Sequence, residues 1–508
     1  MISLRKAFNL HWLIPRLGLP TGAIVLLYLI RLNDVTVLQF VLAFGLICIP
    51  WLSYLRWREG SREGLPIFAM LAFAYCIYYA VPLFLSEQNF STLSEPIGHQ
   101  LSESSLSQSL LMALIGVCCL WLGMKSGLAR FLVPRTQLSL SLTTAKLNYT
   151  RAVLVIGGLL NLSQTPILLA GEGSRQFISI IVAVMPMLAF AILFRNFLRG
   201  RNEAIDNILI LAFLIVRLFS GLSGGWLGVS ASILIVCGAI YVAERKRVPK
   251  AALFAVVLFT LFFQVGKEDF RKTYWQAQGQ VKAEEQDSGG GLERVTFWAQ
   301  TSLDKWQEAL TDPGGGAFRD AINQSIARIA LLPQTANVIE QTPSVVPYQN
   351  GWLYSYMVVS FIPRFIWPEK PSVSEANRFY QVAYGLTAEE ELNSTTISAG
   401  LLAEGFINFG WVGVVGIMFA VGIFFDFYQR TFLAESAGVL MNGIGLILLP
   451  GFLAIEAQIA LYLSGIIQQV AVLIVVMLPV VRILRPRAEG SFKRVQVSES
   501  QPLLLSSE

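Results

Sequence analysis

The chain reads as an all-α polytopic membrane protein, and three observations carry that reading. Of 508 residues, 54% are hydrophobic and only 14% are charged, whereas a soluble domain carries about 25% charged residues. The hydrophobic residues fall in long stretches free of Asp, Glu, Lys and Arg, most near the ~20 residues a helix needs to cross the bilayer core. The basic residues gather between alternate stretches, as the positive-inside rule requires.

Taken in order, residues 17–30 form the shortest stretch, followed by 35–55, 65–86, 104–124, 152–171 and 176–194. Residues 207–243 suffice for two helices, divided at the GLSGG of 221–225 and interrupted once by Arg217. Residues 251–266 are short but can borrow the stems of Lys250 and Lys267, which reach toward the interface. Residues 405–425, 436–455 and 457–481 close the series, for about twelve spans. With the N-terminus cytoplasmic, the inner loops hold clusters such as Arg56, Arg58, Arg62 and Arg245, Lys246, Arg247, while the short outer loops hold only Arg31 and Arg175. Both termini then lie inside, and the approach to the first stretch, broken by Pro15 and Arg16, does not read as a cleaved leader.

This organisation divides the chain into an N-terminal bundle of about nine spans (1–266), a large outer loop (267–404), C-terminal spans (405–484) and a disordered cytoplasmic tail (485–508). Within the loop, Leu292, Val295, Ala299, Leu303, Trp306 and Leu310 recur at helical spacing between the breakers SGGG and PGGG. That predicts an amphipathic helix on the membrane surface. Residues 341–363 are uncharged but hold three prolines and many aromatics, which suits a surface or re-entrant segment. Five cysteines in apolar stretches and two histidines, His11 and His99, exclude a disulfide framework and a Cys- or His-based metal centre. No dense basic tract suits nucleic acid.

Candidate chemistry lies in three places. Arg217 sits inside an apolar helix, where an ionised side chain costs about 2.5–3.5 kcal/mol and usually meets a partner or cavity. It reads as an anion contact, or as a partner of Glu456. Glu456 marks the turn between the last two stretches. The outer loop carries Arg328, Arg364, Lys370 and Arg378, and Glu404 and Asn408 follow. Prolines at 363, 368 and 371 stiffen the backbone around Arg364 and Lys370. Fixed guanidinium groups match phosphate oxygens, and a nearby carboxylate suits proton removal from a hydroxyl. Solvated loop charges are the plainer reading of the same residues.

The run RIALLPQTANVIEQTPSVVPYQNGWLYSYMVVSFIPRFIWPEKP, followed by ISAGLLAEGFINFGWVGVVGI, resembles the Wzy-type oligosaccharide repeat-unit polymerases over about 90 residues. The matching positions are Arg328, Thr342-Pro343, Gly351, Pro363-Arg364, Trp367-Pro368, Lys370-Pro371, Gly400, Glu404, Asn408 and Gly410. Many relatives carry an Arg beside a Ser-Gly at the outer end of a middle span; SGLSGGWLG lacks it, and Arg217 is the nearest substitute. The resemblance implies a GT-C-like fold in a bacterial inner membrane, with no cofactor and no metal. It implies transfer of a glycan from undecaprenyl pyrophosphate to a hydroxyl of a second lipid-linked unit, and a chain-length regulator as partner. Glu404 and Arg364 would be catalytic, with Arg217, Arg328, Lys370, Arg378 and Asn408 on the pyrophosphate or glycan. An O-antigen ligase and a flippase of lipid-linked oligosaccharide are the alternative readings.

Overall fold

A computed structural model describes residues 10–60, 64–86, 89–90, 99–134, 137–139, 144–163, 172–276, 290–312, 314–327, 329–360, 362, 367, 369–372, 374–387, 389, 392, 397–477 and 482–484. Each expected apolar stretch carries a helix: α1 Gly18–Leu29, α2 Val37–Glu59, α3 Ile67–Leu85, α4 Glu103–Lys125, α5 Thr144–Ser163, α6 Glu172–Leu198, α7 Ala204–Ser223, α8 Leu227–Arg245 and α9 Lys250–Val265. The loop region adds α10 Gly291–Thr311, α11 Gly316–Ala327, α12 Leu332–Gln341 and α13 Glu375–Ala383, before α14 Gly400–Tyr428, α15 Gly438–Leu453 and α16 Ile459–Met477. Short helical turns such as Lys267–Arg271 and Ser355–Ser360 and two short antiparallel ladders, Asn89–Phe90 with His99–Gln100 and Gln137–Ser139 with Arg482–Leu484, are also described. The expected tail at 485–508 and the 164–171 end of one expected span lie outside the described residues.

Among the described residues seven helices are long and apolar enough to cross a membrane, and α9 makes an eighth when joined to Lys267–Tyr274 across a 56° bend. The protein is therefore a helical, multi-pass membrane protein. Length explains part of the shortfall from twelve, since α1 has 12 residues and α15 has 16, about 18 and 24 Å of helix; α5 has 20 but carries Lys146, Asn148 and Arg151 in its first half. Helix starts follow local chemistry. Thr36 and Gln39 form a reciprocal capping box on α2, Ser102 caps α4, and Glu203 with Asp206 caps α7.

Small residues bring α4 and α14 into backbone contact. A Cβ on Gly123 would lie 2.1 Å from the Phe419 carbonyl oxygen, and one on Gly422 would lie 2.3 Å from that of Leu120. Such close approach is the usual packing device of membrane helices. Ion pairs tie other helices together: Arg151 of α5 holds Asp206 at 2.7 Å and Glu203 at 2.9 Å, and Arg199, just past the end of α6, holds Glu244 of α8 at 2.7 Å.

The loop region does not all stay outside the bundle. Helix α12 is sunk between α3 and α4, with Leu332, Pro333, Thr335, Ala336, Asn337 and Val338 buried. Leu331 N–H donates to the Tyr78 carbonyl at 3.0 Å, at a π-helical turn of α3, and Tyr79 and Thr335 share a hydroxyl contact at 3.0 Å. Glu340 accepts from Ser102 N–H at 2.7 Å and from the Ser105 hydroxyl at 2.8 Å, closing the start of α4. We call this side of the molecule the insert end. Helix α10 is amphipathic, as its spacing predicts. Leu292, Leu303 and Leu310 are exposed, while Trp298 is buried and donates to the Phe263 carbonyl of α9 at 2.8 Å.

Candidate functional site

Helix α14 is a folded element. Its backbone leaves the helical region at Phe409 (φ −143°, ψ 22°) and Gly410 (φ 60°, ψ −146°). A Cβ on Gly413 would sit 2.0 Å from the Gly405 oxygen, although residues eight apart in a straight helix are about 12 Å apart. A Cβ on Gly116 would meet both Leu402 at 2.5 Å and Met418 at 3.4 Å. Residues 400–408 thus fold back along the helix that follows, and the expected span of 405–425 is broken at its start. Gly405 and Gly413 permit the crossing because neither presents a side chain.

A strap holds the tip of this hairpin. The N–H groups of Gln349 and Asn350 donate to the carbonyls of Ile407 and Asn408, each at 3.0 Å. Gly351 N–H donates to Asn408 Oδ1 at 3.0 Å, and Asn408 Nδ2 donates to the Glu404 carbonyl at 2.8 Å. Gly351 has φ 87°, and a Cβ there would strike the Phe409 ring at 2.8 Å. Asn408 is fully buried with both amide atoms bonded, so it positions the strap. Asn408 was expected on the pyrophosphate or glycan; in the structure its amide ties Gly351 to Glu404.

Glu404 is also buried. Its Oε2 accepts from Ile459 N–H, the first residue of α16, at 2.7 Å. A carboxylate there satisfies a donor that the helix cannot, and it meets the positive end of the helix dipole. Its Oε1 has no hydrogen-bond partner among the described residues. The Tyr354 hydroxyl lies beside Glu404 and Asn408; burial and the Glu404 carboxylate hold that phenol above its ordinary range, and Asn408 partly offsets them. Tyr354 also lines a groove of about 290 Å³, together with Phe409, Val412, Gly413, Gly416 and Ala420. Val412 is 79% exposed on the same stretch. In a bilayer this apolar flank meets lipid.

The other expected residues are placed as follows. Arg328 and Arg364 lie outside the described residues. Lys370 is buried, with Nζ donating to the Ile362 carbonyl at 2.7 Å. Arg378 of α13 pairs with Glu375 at 3.4 Å. Arg217 of α7 donates to Asn161 Oδ1 of α5 at 3.0 Å, in the part of the bundle tied by the Arg151 and Glu244 ion pairs. Glu456 lies in the turn between α15 and α16, its carbonyl accepting from the Ser398 hydroxyl. Of the seven expected site residues, these contacts bring Glu404 and Asn408 together. Tyr354 was missed because a tyrosine in WLYSY reads as an interfacial aromatic. The hairpin had a signal in the close glycines 405, 410 and 413. Among the described residues no group of three or more His, Cys, Asp or Glu is placed to hold a metal ion.

A family described as Domain of unknown function (DUF8712) matches residues 67–448, about three quarters of the chain. The matched region contains the insert end, the strap and the hairpin. No curated protein and no solved structure matches the chain.

Proposed function

We propose that this chain, which belongs to the DUF8712 family, is a membrane glycosyltransferase that extends a polysaccharide from lipid-linked repeat units. In this reading it crosses a bacterial inner membrane about twelve times in a GT-C-like arrangement, with the insert end outside and both termini in the cytoplasm. One observation carries the proposal: Tyr354 lines an apolar groove over the hairpin and lies within electrostatic reach of Glu404, a buried carboxyl with one oxygen unbonded. A groove of that kind suits an isoprenoid chain, and the carboxylate suits chemistry at its head.

The acceptor hydroxyl attacks the anomeric carbon of the donor glycan. The bond from that carbon to the pyrophosphate oxygen breaks, the hydroxyl proton passes to Glu404 Oε1, and undecaprenyl pyrophosphate departs as the anion. Glu404 Oε2 stays on Ile459 N–H, which fixes the carboxylate while its other oxygen works. Arg328, Arg364 and Lys370 are the cations assigned to the departing pyrophosphate. Binding it more tightly as charge builds lowers the barrier. Arg217 is left to Asn161.

The test is a deletion strain complemented with Arg364→Ala or Glu404→Gln. Gln keeps an oxygen for Ile459 N–H, so α16 stays capped. The expected result is single repeat units on the surface lipid with normal protein in the membrane. Long polymer in a strain carrying both replacements would end the proposal. In the deletion strain itself, polymer left on the lipid carrier would mean a ligase instead.

A further inference from the structure

Two residues before Tyr354, the strap presents an indole to the outside. Trp352 is 49% exposed, and its ring meets Tyr356 at 5.2 Å and Phe379 at 6.0 Å, both near edge-on. Its backbone follows Gly351, whose N–H is bonded to Asn408, so the ring is carried by a segment pinned to the hairpin tip. Phe379 belongs to α13, and the same helix supplies the Glu375–Arg378 pair at 3.4 Å. Glu375 and Phe379 stand one turn apart on α13, so the carboxylate and the rings share one patch. Asn350, also exposed, adds a side-chain amide beside Trp352.

Aromatic residues near a membrane commonly sit among lipid headgroups. This patch has a different composition. A guanidinium and a carboxylate share α13 with Phe379, placing charged donors and acceptors on the helix that carries part of the aromatic surface. Pyranose rings have the complementary chemistry: a C–H face that lies flat on an aromatic ring, edged by hydroxyls that each donate and accept. Arg and Glu can each take two adjacent hydroxyls. A rigid aromatic held by its neighbours loses little entropy on binding.

We propose that Trp352, Tyr356 and Phe379, with Glu375 and Arg378, form a carbohydrate-stacking platform that holds a sugar of the glycan beside the Glu404 site. The assignment to a growing glycan rests on the glycosyltransferase reading; the platform itself rests on the patch. Of the two expected roles of Arg378, pyrophosphate or glycan, it takes the glycan.

The experiment uses the full chain in lipid nanodiscs. The probe is the repeat-unit oligosaccharide released by mild acid from the host's own surface polysaccharide, read by saturation-transfer NMR from protein to sugar. Trp352→Ala should weaken binding at least fivefold, and Trp352→Phe should retain part of it. Arg378→Gln should weaken binding without changing the thermal unfolding midpoint. A second measurement uses brominated phospholipids, with Trp352→Phe subtracted from the parent emission; Trp352 should be unquenched. Unaltered sugar binding in Trp352→Ala, or strong quenching of Trp352 by brominated lipid, overturns the proposal. Glu404→Gln should bind the sugar normally while polymer is lost. Polymer made by the double replacement of Arg364 and Glu404 would strike the glycosyltransferase reading alone, because the platform is judged by binding.

Discussion

Replacing Asn408 by Ala tests the latch that joins the strap to the hairpin. The substitution removes two hydrogen bonds, leaving Gly351 N–H without its acceptor at 3.0 Å and the Glu404 carbonyl without its donor at 2.8 Å. Glu404 and Asn408 are buried and Gly351 is half-buried. An orphaned buried polar group costs about 1–3 kcal/mol, so the pair should cost about 2–4 kcal/mol once partial relaxation is allowed. At about 1.4 kcal/mol per factor of ten, opening of the strap should become roughly 30- to 1000-fold more frequent. Hydrogen–deuterium exchange of the peptide containing Gln349, Asn350 and Gly351 reads this directly, since exchange follows the open fraction. Asn408→Asp should be nearly as severe: it keeps an acceptor for Gly351 but turns an oxygen toward the Glu404 carbonyl. If exchange in Asn408→Ala rises less than about threefold, with α4 equally protected, Asn408 is not the latch.

Gly413→Ala places a methyl 2.0 Å from a backbone oxygen; overpacking of this kind costs about 1–3 kcal/mol, and the unfolding midpoint in detergent should fall accordingly, whereas Gly416→Ala, with nothing within 4 Å, should be neutral. Arg151→Gln leaves the buried Asp206 carboxylate without its partner, a loss of about 3–5 kcal/mol. Adding Asp206→Asn should restore much of that stability in the same thermal assay. Asp312 is held below the usual carboxylate range by the backbone N–H groups of Ala317 and Gly314. A carboxylate with a lowered folded pKa stabilises the start of α11 at neutral pH and stops doing so as pH falls through the acidic carboxylate range. Amide exchange at Gly314 and Ala317, corrected for its intrinsic pH dependence, should rise there in the parent and stay level in Asp312→Asn.

The membrane class and the order of the helices were legible because hydrophobicity is a property of composition along the chain. The break at the GLSGG of 221–225 is an example: α7 and α8 part there, where glycines cannot sustain a helix as well as their neighbours. The amphipathic α10 was equally readable, since its period of 3.6 survives any packing. Glu404 and Asn408 stood out as polar residues at the edge of an apolar run, and the structure sets them one helical turn apart. Their work was not readable. Asn408 looked like a substrate contact, and only its two bonded amide atoms show it to be a latch.

Sequence alone determined that this chain enters a membrane, roughly where it does so, and which charges were conspicuous, because transfer from water to lipid depends on each residue in turn. The tertiary structure decided that 400–408 doubles back on α14, that α12 is drawn in from the loop between α3 and α4, and that Tyr354 lines a groove over the hairpin. Those outcomes come from close approach between residues such as Gly405 and Gly413 or Tyr79 and Thr335. Such contacts depend on which surfaces fit together in space, and no periodicity along the chain encodes that.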